Sequence, residues 1–339
     1  MESRLPCGGS GWFAPAVTRA LATDAGELFG LDGQSPSRLT AVARGAMGQV
    51  WLLELGAERY ALKMLFAAPD AEEIRHEVSF TAHLAAAGVP VPASVPAADG
   101  RILVTRPGGG WLRLYRWVDG SKADLADAGL PPLVGALLGR LHANALPPWS
   151  GAHSWYQSTP DPSEWPRLAA AARKQDVGWA QRFADAVARI PRIAELVTPM
   201  DPDRLVTCHC DLHPDNVLVT AGGELVPLDW DNVGPADPDR ELAKLLFDWF
   251  VVNGRPDRRA VPEVVDAYRA AGGPGRLPDA RAFGMAIAAD LNFLRRQATM
   301  ALAPDTPPEH RQHAIMEIDE SLARLPTPDL LAELIELSR

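Results

Sequence analysis

Asp211, Asn216 and Asp229 are the residues around which chemistry can be built. Asp211 and Asn216 lie in the run Val206-Thr207-Cys208-His209-Cys210-Asp211-Leu212-His213-Pro214-Asp215-Asn216-Val217-Leu218-Val219, and Asp229 in Leu228-Asp229-Trp230-Asp231. Apolar, strand-like residues flank the acid and the amide, and Ala221-Gly222-Gly223 offers a turn between two short strands. If those strands pair as a hairpin, the three side chains converge. An amide oxygen with a carboxylate suits a hard divalent cation. The remaining carboxylate is then left to meet a hydroxyl. Phosphoryl transfer from ATP needs such parts: charge neutralisation by Mg²⁺ and a group that orients the nucleophile.

This stretch resembles the catalytic loop and metal-binding segment of the aminoglycoside phosphotransferase-like kinases (the APH/choline kinase group), the small-molecule branch of the protein-kinase-like fold. The His-x-Asp, the Asp-x4-Asn spacing and the following Asp all match, while Cys210 stands where those enzymes usually carry glycine. The resemblance implies an α+β, bilobal protein-kinase-like fold, with a small antiparallel-sheet N-lobe carrying one main helix and a larger, mostly helical C-lobe. It implies Asp211 as catalytic base, with Asn216 and Asp229 binding Mg²⁺. Asp231 ranks lower as a metal contact because it falls beyond the expected strand end. His209 is expected to support the loop.

The elements upstream must hold the nucleotide. Leu39–Val42, Trp51–Leu55 and Arg59–Leu65 read as strands, with glycine turns between them. Gly45, Gly48 and Val50 keep the spacing of the protein-kinase glycine loop, with Ala43 in place of its first glycine. Without a Cβ, such a loop lets backbone N–H groups approach phosphate. Tyr60-Ala61-Leu62-Lys63 stands for the lysine strand. A helix follows, with Asp70 and Glu73 as a capping box and Gly88 as its end. Glu77 shares its apolar face with Ile74, Val78 and Thr81, and a buried carboxylate needs a partner. Lys63 is the expected one, with Glu73 as the alternative to Glu77. In this fold the Lys–Glu pair holds the α- and β-phosphates. Arg101–Thr105 and Trp111–Tyr115 read as the last N-lobe strands. In similar enzymes the following linker contacts adenine, and here that role falls to Trp117 and Val118.

Residues 1–38 read as an N-terminal extension with a helix near Ala16–Leu28, packed on the N-lobe or over the cleft. The N-lobe is expected over 39–118 and the C-lobe over 119–339. Pro131–Ala143 is a core helix with Leu133, Leu137, Leu138 and Leu141 as its apolar positions, and His142 is structural. The tryptophans of Trp149–Trp165 either line a pocket or cover the lobe. Asp237-Pro238 caps a helix whose Leu242, Leu245, Leu246, Trp249 and Phe250 face the core. Further helices are expected at Val261–Ala271, Asp279–Ala303, Pro308–Arg324 and Pro328–Ser338.

With 339 residues, 47% of them hydrophobic, the chain can bury two sizeable cores. A net charge of −10 argues against broad binding to nucleic acid or anionic membrane and suits a cationic substrate. Three cysteines give no disulfide framework. The N-terminus leads into no apolar signal region and no stretch approaches membrane-spanning length, so the chain reads as cytoplasmic. Nothing in it specifies an oligomeric state. Cys208, His209, Cys210 and His213 lack the second, distant ligand pair that zinc sites use. The chemistry expected is transfer of the ATP γ-phosphate to a hydroxyl of a small molecule, aminoglycoside-like or otherwise amine-bearing. Asp248 and Asp290 are possible cation-binding groups. The alternatives are a choline/ethanolamine, homoserine or sugar kinase, or a nucleotide-binding pseudokinase. A protein kinase is disfavoured, since Trp230-Asp231 replaces Phe-Gly and no Ala-Pro-Glu segment follows.

Overall fold

The computed structural model describes residues 15–31, 38–44, 48–107 and 109–339. Gly45 of the expected glycine loop, and the opening residues with Cys7, lie outside them. In chain order the elements begin α1 (Pro15–Leu28), β1 (Arg38–Arg44), β2 (Gly48–Leu55), β3 (Glu58–Leu65), α2 (Ala71–Ala86), β4 (Ser94–Val95), β5 (Val104–Thr105), β6 (Trp111–Arg116) and β7 (Ser121–Lys122). Then follow α3 (Leu130–Ala143), α4 (Glu164–Lys174), α5 (Ala180–Val187), α6 (Ile190–Ala194), β8 (Val206–Cys208), β9 (Val217–Val219), β10 (Leu225–Pro227) and β11 (Gly234–Ala236). The chain closes with α7 (Pro238–Phe250), the short pair β12 (Val251–Val252) and β13 (Arg255–Pro256), α8 (Ala260–Ala270), α9 (Gly284–Leu302), α10 (Pro308–Arg324) and α11 (Pro328–Leu337). No described helix is long and apolar enough to cross a membrane.

Two compact units form. The first holds the described residues up to Thr81, with Pro90–Ser121 and Leu218–Leu228; the second holds Ala82–Val89, Lys122–Val217 and Asp229–Arg339.

The first unit is built on an antiparallel sheet of order β1-β2-β3-β6-β4, with β5 also on β6. Alternation sorts its side chains. Trp51, Leu53, Tyr60, Leu62, Leu112 and Leu114 form one core with Leu21, Ala22 and Ala25 of α1 and with Phe29 just after it. The first helix therefore packs into the sheet of this unit, and Asp24 pairs with Arg106 at 2.5 Å to hold it there. On the other face lies α2, which starts where Asp70 Oδ1 accepts the Glu72 N–H at 2.7 Å. Gly88, at φ +77°, follows its end. Of the expected strand Arg101–Thr105 only Val104–Thr105 forms ladder bonds, and β4 was not expected at all.

The second unit is mostly helical. On α3, Gly135 and Gly139 sit one turn apart, and a Cβ at either would come within 2.1 Å of Val264 O or 2.5 Å of Tyr268 O. Their lack of a side chain lets α3 lie against α8, which fixes His142 and Tyr268 beside each other. Leu133, expected in the core, is instead 45% exposed. Asp237 caps α7 by accepting the Asp239 N–H at 3.0 Å. All five expected apolar positions of this helix are buried. Among the tryptophans of the 149–165 stretch, Trp165 is core, packed on Phe183.

Candidate active site

The loop carrying Asp211 is held from below by backbone pairing. Strand β8 runs antiparallel to β11, with Cys208 opposite Gly234. Cys210 then adopts φ +66°, a left-handed conformation that explains why glycine suits this position in similar enzymes. Its N–H donates to Glu241 Oε1. The other oxygen of Glu241 binds His142 Nε2 at 2.6 Å, and His142 Nδ1 meets Tyr268 Oη at 2.7 Å. A buried chain of bonds thus runs from α8 through α3 and α7 to the residue before Asp211. Burial works to raise the Glu241 carboxyl, but His142, His209 and the Cys210 N–H outweigh it and hold it below the usual range. His142 is structural, as expected. Glu241 carried no sequence signal beyond sitting among apolar neighbours on α7.

Two more contacts fix the loop. Trp249 Nε1 donates to Leu212 O at 2.8 Å. The His209 ring, fully buried, lies 4.5 Å from that of Trp230, and its Nδ1 accepts the Asp211 N–H at 3.3 Å. This is the supporting role expected of His209.

Asp211 itself is half-buried. Its Oδ2 accepts from Asn232 Nδ2 at 3.1 Å, and its Oδ1 lies 3.6 Å from Lys244 Nζ. His213 Nε2 stands 4.0 Å from Oδ2. Asn232 and Lys244 were not expected here. They act from a turn and a helix well downstream, so spacing near the Asp gives no sign of them.

Asn216 closes a short turn, Pro214–Asn216, capped by His213, and its Nδ2 donates to Asp211 O at 2.9 Å. The amide's remaining strong acceptor is its oxygen, the atom a hard cation takes. Strands β9 and β10 pair as the expected hairpin, turning at Thr220–Gly223, where Gly223 has φ +78°. Asp229 follows at φ +57°, exposed, immediately before the turn Trp230–Asn232. That turn is tied to the loop at both ends, by Trp230 to His209 and by Asn232 to Asp211. Asp211, Asn216 and Asp229 therefore belong to one bonded assembly in the second unit. The donor set fits a divalent cation, with an amide oxygen and an exposed carboxylate.

Cys208 and Cys210 are buried thiols, and burial followed by the Glu241 charge pushes both well up. A thiol kept protonated makes a poor metal ligand or nucleophile. His142, Cys208 and Glu241 lie close enough to share an ion, but both Glu241 oxygens are already taken by His142 and Cys210.

The remaining expected residues lie in the first unit. Lys63 and Arg113 are directly opposite each other on β3 and β6, hence on one face of the sheet. Glu77 of α2 meets Arg113 in a two-pronged pair, at 2.5 and 2.8 Å, with side chains only 1% and 4% exposed. Arg113 is thus a buried partner of Glu77 in addition to the expected Lys63, and no local sequence pattern points to it. Its position, Trp111-Leu112-Arg113-Leu114, reads as plain strand alternation. Lys63 is buried beside this pair. Gly48 opens β2, where a Cβ would lie 2.4 Å from Met64 O, so close packing of the sheet alone demands glycine. Trp117 and Val118 are half-buried just after β6, with the Trp117 N–H bonded to Arg59 O at 3.1 Å.

Comparison with known proteins places the chain in a family and identifies its fold. The profile of the family described as Phosphotransferase enzyme family (APH) matches residues 38–284. No curated protein sequence matches the chain. Among solved structures, a spectinomycin phosphotransferase in complex with ADP and spectinomycin superposes with a TM-score of 0.64 at 14% identity, covering 94% of this chain and 97% of that one. A microcompartment-associated aminopropanol kinase gives 0.62 at 21% identity, covering 89% and 94%. An amicoumacin kinase in complex with AMP-PNP, Ca²⁺ and Ami gives 0.59 at 18% identity, covering 93% and 95%. At these identities the likeness establishes a shared fold, the α+β kinase-like architecture of such phosphotransferases.

Proposed function

The chain belongs to the phosphotransferase enzyme family, and we propose that it moves the γ-phosphate of ATP to a hydroxyl of a small, amine-bearing molecule. The observation that carries this reading is the Asp211 carboxylate, held between Asn232 and Lys244 at the end of a loop that is bonded into the core. A carboxylate fixed in this way can accept the acceptor's hydroxyl proton, or hold that hydroxyl in line with the phosphate. Asn216 and Asp229 would hold Mg²⁺, which supplies charge neutralisation on the phosphates. Lys63, kept buried beside the Glu77–Arg113 pair, would contact the α- and β-phosphates. Gly45 and Gly48 would cover the phosphates, and Trp117 and Val118 would pack on adenine.

The test is ADP release from Mg·ATP with a panel of aminoglycosides, choline, ethanolamine, aminopropanol, homoserine, macrolides and amino sugars, using Asp211→Ala as blank. Acceptor-dependent ADP that vanishes in the variant supports the reading, and the responding acceptor separates a resistance-type enzyme from a metabolite kinase. ATP binding without transfer to any acceptor favours the pseudokinase alternative.

A further inference from the structure

On α7, Lys244 and Asp248 stand one turn apart and share a face. That face meets the catalytic loop. Lys244 Nζ lies 2.6 Å from one oxygen of Asp248 and 3.6 Å from Asp211 Oδ1. Arg324, the last residue of α10, lies 2.5 Å from the other oxygen of Asp248, and its guanidinium is seated over the Phe247 ring, 5.7 Å from the ring centre. Charges therefore alternate along one line: Arg324, Asp248, Lys244, Asp211. Asp248, read from the sequence as a possible cation-binding group, binds cations that the chain itself supplies.

Neutralising Asp248 does not need Lys244, because Arg324 alone balances that charge. A second cation on one buried carboxylate costs desolvation, and the Lys244 side chain is only 11% exposed. Burial works to lower its ammonium, but the charges of Asp248 and Asp211 outweigh it and hold it above the ordinary range, so it stays charged. The surplus charge acts on the base. At 3.6 Å, Nζ is too far from Asp211 Oδ1 to donate a hydrogen bond, yet near enough to attract it. Asn232 Nδ2 donates to Oδ2 at 3.1 Å. One oxygen is thus bonded and the other steered, and Oδ1 keeps its lone pairs for a hydroxyl. Closer approach of Lys244 would occupy that oxygen, and the 2.6 Å contact with Asp248 holds it back.

We propose that Lys244 is a positioning residue for Asp211, set by Asp248 and Arg324 at a distance that turns the carboxylate toward the acceptor hydroxyl without capping it. The assignment rests on the phosphotransferase reading of Asp211. It makes the junction of α7 with the end of α10 part of the device that aims the base.

Wild type, Lys244→Met, Lys244→Arg, Asp248→Asn and the double variant Lys244→Met with Asp248→Asn are compared by ADP release from Mg·ATP. The acceptor is whichever member of the panel responds, or water where none does, and Asp211→Ala runs beside them. Urea melts establish that each variant folds, and calorimetric titration gives its Kd for ADP. Lys244→Met should lower kcat roughly 10–100-fold, the size of an ångström-scale misplacement, with the KM for ATP and the Kd for ADP within about threefold. Lys244→Arg keeps the charge and should lie nearer to wild type than to Lys244→Met. Asp248→Asn frees Lys244 to close on Asp211 and should lower kcat about tenfold or more. Removing Lys244 as well should not lower it further, because the two side chains act as one unit. A kcat for Lys244→Met within about threefold of wild type, an equal loss in Lys244→Arg, or single losses that multiply in the double variant overturns the proposal. Should Lys244→Met not fold, Asp248→Asn decides: a lower kcat at unchanged KM supports the proposal, and an unchanged kcat overturns it. Loss in Asp211→Ala with full activity in Lys244→Met removes the proposal alone. Full activity in Asp211→Ala, or no turnover by wild type, removes the reading of Asp211 and the proposal with it.

Discussion

Replacing Arg113 by Met tests whether the first unit depends on the pair that the structure places under Lys63. Arg113 and Glu77 share two hydrogen bonds, at 2.5 and 2.8 Å, with side chains 1% and 4% exposed. Arg113→Met removes two charge-assisted bonds from the buried Glu77 carboxylate while Lys63 stays beside it, so the cost is expected near the lower end of the range for breaking a buried pair, about 3 kcal/mol. Against a typical domain stability of about 5–15 kcal/mol, that is a large fraction. Replacing both members by apolar residues of similar volume is often neutral or stabilising. Glu77→Met alone carries a further penalty, because Lys63 and Arg113 then face each other across β3 and β6 as like charges. Urea denaturation of wild type, Arg113→Met, Glu77→Met and the double variant closes the cycle. A coupling of at least about 2 kcal/mol is expected, with the double variant more stable than either single one. Additivity within about 0.5 kcal/mol would refute the reasoning. The stable double variant then carries a functional readout. With no carboxylate beside Lys63, its KM for ATP should rise.

Other outcomes follow from the second unit. Asp211→Ala should lower kcat by roughly 10²–10⁴-fold, measured by ADP release, while the Kd for ADP stays within a few-fold; retention of most activity would move the base elsewhere. Glu241→Gln should cost about 1.5–3 kcal/mol in urea at pH 7, since two bonds to a buried charge are weakened. Glu241 is held below its ordinary value, so its stabilisation is present above about pH 4.5 and fades as pH falls through the lower folded value. The variant's melting temperature should accordingly depend less on pH on the acid side, and an unchanged acid limb would contradict this. Gly139→Ala puts a Cβ 2.5 Å from Tyr268 O, and overpacking of about 1–3 kcal/mol should exceed the gain of about 1 kcal/mol in helix propensity. A lower urea midpoint is expected, and a higher one would mean that α3 and α8 can separate without loss.

The sequence disclosed what is local. The hairpin after Asn216, the strand–turn–strand of β2 and β3, the cap at Asp237 and the apolar face of α7 all depend on neighbours a few residues apart, and all formed. The partners of the chemical groups are non-local, and these were hidden. Arg113 reaches Glu77 across 36 residues, Glu241 reaches Cys210 across 31, and Asn232 reaches Asp211 across 21. No spacing rule links such positions, because only the tertiary fold brings them together. Leu133 shows the opposite failure: its type suited the core face of α3, but the helix buries a stripe centred on Gly135 and Gly139, which leaves Leu133 outside it.

Cys210 shows how a departure from a family pattern can be absorbed. A left-handed residue other than glycine costs roughly 1–2 kcal/mol. Burying a small apolar side chain returns about 1 kcal/mol or more, and the Cys210 side chain is 1% exposed in a cluster with Tyr156, Met200 and Met285. The bond from its N–H to the ionised Glu241 acts in the same direction, since charge-assisted bonds contribute about 1.5–3 kcal/mol. These terms are of similar size, so glycine is not required here once the surrounding core supplies a pocket and an acceptor. The conformation is then imposed by α3, α7 and α8 and not by the loop's own sequence. The direction of Asp211 is therefore set by the same buried chain, from Tyr268 to Glu241, that holds the second unit together, and the position of the catalytic group is inseparable from the packing of three helices.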